Sequence, residues 1–370
     1  MKILCVCPIG IGNYLLCYPA FSALKRSMPG ASVQMLALRE GVASLARGDS
    51  LWEKVHVFDP TKSPKNTWGV IRSFVGLLGQ RYDVCLNYFP SNTWQYNLLP
   101  LILGIPGRYG FKYHVSPLSK LSFLCNKKLP VAPHLHDVRQ NLALTQYFVR
   151  KDLSMTDREI RFPALFNEQD RAWARDYAAS LSMNKRFVGL HPGSSAEHGM
   201  AAKRWDPEKF AGLADKTCAA LGAEALVFGG PDEADVVQKC AASMGALAHV
   251  VAPVSLQRTA ALLSLCSVCV CNDSGIMHIA ACQGTPTVGI FGPTDEKRNG
   301  PCGGHCLVIR KKMDGFPVWT ALNVGDRSLP KNIDPQASLG ALSAEEAWEQ
   351  LRPWLETVGL KNSARNDARQ

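Results

Sequence analysis

Asp273, Ser274, Gly275 and His278 have the residue types and the spacing needed to hold a diphosphate. They open the stretch "DSGIMHIAACQG", directly after the strand-like run "SVCVCN". A serine at a helix start caps one backbone amide and leaves its neighbours pointing forward, where the helix dipole adds partial positive charge. His278 follows Gly275 by three residues, one turn on, on the face that looks back toward the strand ends. A histidine alone on a helix is more often packed or solvated; beside Asp273-Ser274-Gly275 it joins a candidate anion site.

Two more loops are expected at the same sheet edge. "HPGSS" (191–195) closes the strand-like "RFVGL" and leads through an irregular "AEHGMAA" to "KRW", offering Ser194 and Lys203. "VFGGPDEAD" (227–235) sets Asp232 and Glu233 just past a glycine pair. A lysine on one loop and a glutamate on the next suit phosphates and ribose hydroxyls. "GTPT" (284–287) and "FGPT" (291–294) are read as turns at this carboxyl edge too.

Near the start, "CPIGIGNYLLCYPAFSALK" (7–25) places Gly10 and Gly12 around one isoleucine, with Asn13 next. A dinucleotide fingerprint requires a third glycine and an acidic residue ending the second strand. Here the third position is Leu15, and "SVQMLAL" runs into Arg39. A nicotinamide oxidoreductase is therefore disfavoured. What remains is a tight turn presenting amides and Asn13, a good helix-capping residue.

The elements that must position these residues alternate. Strand-like runs at "KILCVCPI", "SVQMLAL", "KVHVFD" and "YDVCLNY" are separated by helical patterns near 13–28, 41–47 and 67–80. The pattern restarts after a helix near 167–182, with strands at "RFVGLHPG", "EALVFGG", "LAHVV", "SVCVCND" and "TPTVGIFG". Such alternation implies parallel βαβ units. The expected fold is α/β with two Rossmann-like domains facing a cleft. Residues 1–165 would form the first domain, 166–340 the second, 341–360 a final helix capped by Ser343 and Glu346, and 361–370 a flexible tail.

Charge divides along the same boundary. Residues 1–165 hold 20 Lys/Arg against 9 Asp/Glu, and the remainder 21 against 22. The excess positive charge thus lies in the first half, which suits an acidic partner such as a phosphorylated lipid or a membrane surface. No nucleic-acid motif accompanies it. Of the 13 cysteines, Cys5, Cys7, Cys85, Cys269 and Cys271 fall in apolar strand-like runs, and neither "CSVCVC" nor "CGGHC" (302–306) has a second metal knuckle, so no metal is expected. No stretch reaches the ~18 apolar residues of a spanning helix, and the start does not read as a cleavable signal. The expected setting is a reducing cytoplasm, with peripheral contact at the inner membrane face.

The motifs "GIGNYLLCYPAFSALK", "HPGSS…KRW", "VFGGPDEAD" and "NDSGIMHIAA…GTPTVGIFGPT" together resemble the ADP-heptose:lipopolysaccharide heptosyltransferases, glycosyltransferase family 9. The resemblance covers most of the chain. It implies a GT-B fold and an inverting, metal-independent transfer, with no cofactor beyond a nucleotide-diphosphate sugar, ADP-heptose above all. The acceptor it implies is a saccharide growing on a phosphorylated lipid. Carried over by motif, Lys203 resembles the phosphate-binding lysine and Ser194 the hydroxyl near the leaving diphosphate. Glu233 resembles the acid on the nucleoside, and Val254 aligns with a residue that lines the nucleobase pocket. Asp273, Ser274, Gly275 and His278 resemble the group holding sugar and diphosphate, and Gly10 and Gly12 the acceptor loop.

One position departs from the pattern. Well-known relatives carry a Gly-Asp pair whose carboxylate takes the acceptor proton; here the residue is Asn13, and an amide cannot take it. Asp137 or a histidine of "HLHDVRQNL" (134–142) could serve instead. Asn13 could also merely orient the hydroxyl while a substrate phosphate or water takes the proton, or the chain could be a non-catalytic nucleotide-sugar or saccharide binder.

Overall fold

The computed structural model describes residues 1–7, 10–58, 76–91, 94–113, 120–154, 160–182, 186–195, 197–321, 323 and 333–360. The chain forms two compact units. The first is Met1–Pro163, rejoined by Lys297–Asn299 and by a stretch from Trp319; the second holds Ala164–Glu296, Gly300–Val318 and the C-terminal helices.

The first unit runs β1 (Lys2–Cys7), α1 (Ile11–Ser27), β2 (Ser32–Ala37), α2 (Glu40–Ala46), β3 (Lys54–Val57) and β4 (Val84–Asn87). It continues with α3 (Trp94–Ile102), β5 (Gly107–Lys112), β6 (Lys127–Pro130) and α4 (Asp137–Val149). All its strands are parallel, in the order β3-β2-β1-β4-β5-β6. The central strands "KILCVC" and "VCLN" are nearly continuous apolar runs because helices cover both faces of a parallel sheet. Ten of the thirteen cysteines are buried, and among the described residues all are free thiols. Burial pushes the thiols of Cys5, Cys85 and Cys266 upward, so they behave as small apolar groups.

The second unit runs α5 (Glu168–Leu181), β7 (Arg186–His191), α6 (Pro207–Leu221), β8 (Ala223–Val227), α7 (Ala234–Ala242), β9 (Ala248–Val250), α8 (Leu256–Leu263) and β10 (Val268–Asn272). Next come α9 (Gly275–Cys282), β11 (Thr287–Ile290), α10 (Glu296–Asn299, whose last three residues belong to the first unit), β12 (Cys306–Ile309), α11 (Ala337–Ala341) and α12 (Ala344–Thr357). Its sheet is again parallel, ordered β12-β11-β10-β7-β8-β9. Val188, Leu190, Val268, Val270 and Ile290 form the core with Phe210, Leu213 and Leu221 of α6 and Leu351 of α12. The ends obey local rules. Asp206 caps α6 before Pro207, Gly222 closes it in the left-handed conformation, and Ser343 with Glu346 forms a capping box on α12.

The two orders are the same doubly wound arrangement, so the expected α/β fold of two Rossmann-like domains holds. Several details differ from the sequence reading. The segment 94–149 contributes two helices and two strands that were not anticipated, and "HLHDVRQNL" runs into α4 at Asp137. β12 adds a sixth strand. "AEHGMAA" is largely a 3-10 turn, Glu197–Lys203. "GTPT" precedes β11 and so lies at the amino end of the strands, opposite the edge it was expected to join. Most of the helix expected near 67–80, and the tail 361–370, lie outside the described residues.

Candidate functional site

In a doubly wound sheet, loops diverge at the carboxyl edge where the strand order reverses, leaving room for a ligand. In the second unit this point lies between β7 and β10. Pairing there sets His191 opposite Cys271, so the "HPGS" and "NDSG" loops leave the sheet side by side. Asn272, fully buried, joins them: its side-chain amide donates to Pro192 O at 2.7 Å, and its oxygen accepts from the Trp205 amide at 3.3 Å. Trp205 is itself buried, and its indole donates to Leu342 O at 3.1 Å. The tryptophan of "KRW" is therefore an anchor that fixes the two cations before it.

Those cations have separate tasks. Lys203 Nζ lies 2.8 Å from Asp273 Oδ2, with side-chain exposures of only 14 and 4%. Thr294 donates to the same carboxylate oxygen at 2.6 Å. Burial pushes the Asp273 carboxyl upward, but the Lys203 charge and hydrogen bond, Thr294 and His278 outweigh it and hold it below the usual range. Asp273 is thus a fixed anion that aims an ammonium group. Arg204 instead grips the first loop, donating through Nε to Ser194 O at 2.7 Å and through its terminal nitrogen to the same oxygen. The Ser194 hydroxyl donates to Asp273 O at 3.1 Å, closing the loop onto the β10 end.

Ser274 is the N-cap of α9, extended at φ −149°, and its Oγ accepts from the Met277 amide. The same oxygen lies 2.9 Å from His191 Nδ1, while His191 Nε2 lies 3.1 Å from Glu233 Oε2. A carboxylate only accepts, so Nε2 carries the proton toward Glu233. Gly275 begins α9, and His278, one turn on, is buried beside Asp273. Ser274 and Gly275 thus contribute the amide end of a capped helix, a place that favours anions.

Glu233 closes the group from β8. Its Oε2 also accepts from the Gly230 amide at 2.7 Å, and a Cβ on Gly193 would stand only 2.4 Å from Oε1. Glycine at 193 is what lets the carboxylate lie against the backbone of the "HPGS" loop. Burial raises the Glu233 carboxyl, but His191, the Gly230 amide and Arg204 prevail and bring it to about 2. The sign follows: a carboxyl held below its ordinary 4.5 stabilises the fold above that pH, and the gain disappears as pH falls through about 2. Wild type is expected to exceed Glu233→Gln in unfolding free energy, from urea titration at pH 6, by up to roughly 3 kcal/mol. The difference should shrink steadily toward pH 2.5; a constant one would remove Glu233 as its source.

The structure therefore gathers Ser194, Lys203, Glu233, Asp273, Ser274, Gly275 and His278 at one sheet edge. Val254 is half-buried on the loop between β9 and α8, at the outer end of that edge. The sequence reading overlooked His191, Arg204, Asn272 and Thr294. Each stands inside a quoted motif, and only the hydrogen bonds show that these four hold the others.

In the first unit, Gly10 caps α1 at φ +111°, which favours glycine. Gly12 and Asn13 are then the second and third helical residues, so the cap is Gly10 and not Asn13; Pro8 and Ile9 lie outside the described residues. α4 packs alongside α1 in the same direction. Asn141 donates to Cys17 Sγ at 3.2 Å, and Thr145 to Ala20 O at 3.3 Å. One turn back from Cys17 and Asn141 are Asn13 and Asp137, so this register puts the amide and the carboxylate at adjoining helix starts. Asp137 is buried and accepts from Arg298 at 2.7 Å. His136 caps α4 through Nδ1, and His134 is exposed.

Two doubly wound domains in succession, the second with this polar edge, define the GT-B class of glycosyltransferases. The chain belongs to glycosyltransferase family 9 (heptosyltransferase), whose sequence pattern matches residues 70–315. It is 26% identical over 322 residues to lipopolysaccharide heptosyltransferase 2 of Escherichia coli K12, covering 84% of this chain and 88% of that one. The solved structure of E. coli ADP-heptose LPS heptosyltransferase II superposes with a TM-score of 0.70 at 21% identity, covering 97% of this chain and 100% of that one. E. coli heptosyltransferase WaaC with ADP-2-deoxy-2-fluoro heptose gives 0.67 at 18%, again over 97 and 100%. At these identities the structural likeness is one of fold. Family membership makes the chain an enzyme, a glycosyltransferase. Among the described residues no helix is long and apolar enough to cross a membrane.

Proposed function

We propose that this glycosyltransferase moves a heptose from ADP-heptose onto the saccharide core of a lipopolysaccharide, with inversion and without a metal. The observation that carries the reading is the Lys203–Asp273–Thr294 group beside the capped start of α9. That pairing supplies a positioned ammonium and helix-end amides for a leaving diphosphate. The names of the relatives supply the sugar and the acceptor: the E. coli K12 relative is a lipopolysaccharide heptosyltransferase, and WaaC was solved with an ADP-heptose analogue.

In the single displacement, an acceptor hydroxyl attacks the anomeric carbon while the bond from that carbon to the diphosphate oxygen breaks. Negative charge then grows on the diphosphate, where Lys203 and the amides at Ser274 and Gly275 compensate it. Ser194 orients the diphosphate, Glu233 takes the ribose hydroxyls, Val254 lines the base, and Asp273 with His278 orients the sugar. On the acceptor side Gly10 and Gly12 shape the loop and Asn13 orients the attacking hydroxyl. Asp137, paired with Arg298, receives its proton.

The test pairs binding with turnover. ADP should raise the melting temperature more than UDP, GDP or CDP, since a ligand that binds the native state stabilises it by mass action. ADP-heptose and a heptose-deficient core acceptor should give a product one heptose heavier by mass spectrometry. A chain that binds ADP yet forms no product with any heptose-deficient core would overturn the transfer reading.

A further inference from the structure

We propose that the outer face of α3, with the turn that precedes β6, is the surface by which this enzyme docks on an acidic lipid bilayer. α3 reads "WQYNLLPLI", apolar nearly all round, a pattern ordinarily found in a buried helix. Its inner face is accounted for. Tyr96, Asn97 and Pro100 are buried, and the Asn97 amide donates to Lys120 O at 2.8 Å. The opposite stripe is not covered: Trp94 is 48% exposed, Leu101 40% and Ile102 51%.

Phe123 extends that stripe. At 55% it is more exposed than any of the three, and it sits in the short 3-10 turn Ser122–Leu124. Arg108 ties this turn to the end of α3, donating through Nε to Leu124 O at 2.9 Å and through its terminal nitrogen to Ile105 O at 2.8 Å. Asn126 adds a donation to Pro106 O at 2.7 Å. Leu101, Ile102 and Phe123 therefore project from neighbouring backbone.

Charge identifies the occupant. Between Asp83 and Asp137 the chain carries five basic residues and no acidic one. Lys127 and Lys128, just past Phe123, are exposed, as is Lys112 at the end of β5. An aromatic and aliphatic stripe bordered by lysines matches an interface of anionic headgroups over acyl chains. A second copy matches poorly. A two-fold contact would bring the lysines against themselves, and β6 is an edge strand whose two lysines and Pro130 oppose strand pairing. With nine residues α3 is far too short to span a bilayer, so docking is interfacial.

The whole chain should sediment with vesicles of phosphatidylcholine containing about 30% phosphatidylglycerol, and not with phosphatidylcholine alone. Raising salt from about 0.1 to 0.5 M should release most of it, because exposed charges are screened. The double variant Ile102→Asp/Phe123→Asp should lower vesicle partitioning about tenfold or more, with an unchanged circular dichroism spectrum and melting temperature. Equal sedimentation with both vesicle types, or an unaffected double variant, overturns the proposal. So does a dimer by light scattering that the double variant splits, since the face would then belong to a second copy. The assay uses neither donor nor acceptor, so failure of the heptose reading would leave its outcome intact.

Discussion

Lys203→Gln is expected to lower kcat by two to three orders of magnitude while the protein stays folded. Removing one positioned donor from a developing anion typically has an effect of about 10²–10³. Lys203 is more than a hydrogen-bond donor: it is a cation held 2.8 Å from a nearly buried carboxylate. Asp273 fixes where the ammonium stands without letting it reach bulk water. Glutamine is the informative replacement, because its amide can still donate to Asp273. Alanine would leave that carboxylate buried with less compensation, and breaking a buried pair costs about 3–5 kcal/mol, so lost activity would be confounded with lost fold. The variant should also lose most of the melting-temperature rise that ADP produces, with its urea midpoint close to wild type. A kcat within threefold of wild type would take the leaving-group role away from Lys203.

The polar edge of the second unit was legible for a physical reason. Central strands buried on both faces must be apolar runs, and parallel strands must deliver their loops to one edge. "VCVCNDSG" and "RFVGLHPG" therefore announce both the strand and where its loop emerges. The supporting residues were not legible because Asn272, Arg204 and Thr294 act through contacts distant in sequence, and no local spacing encodes that Arg204 binds Ser194 O. The first unit was harder still. β5 carries two glycines and two cations, and β6 is the edge strand "KKLP", built against the alternation by which a strand is recognised. The proline inside α3 hid that helix as well. "GTPT" misled because a Gly-Thr-Pro turn looks alike at either end of a strand; only the parallel register decides which edge it occupies.

The remaining expectation concerns the proton. Asp137→Asn should reduce kcat by about 10²–10⁴, the range of a positioned general base. Introducing Asn13→Asp into that variant should recover at least about tenfold. The reasoning is the shared register of α1 and α4. If Cys17 faces Asn141 and Ala20 faces Thr145, a carboxylate moved from position 137 to position 13 stays at the same helix ends. Position 13 is also the partly exposed third residue of α1. The competing view is that Asp137 exists only to neutralise Arg298. Removing one member of that buried pair would then cost stability, again about 3–5 kcal/mol, and nothing else. The two views separate once kcat is normalised to the folded fraction measured in the same buffer. A counter-ion predicts a normal kcat per folded molecule and no gain from Asn13→Asp. A proton acceptor predicts a fully folded population at low temperature that turns over slowly until a carboxylate is restored at either helix start.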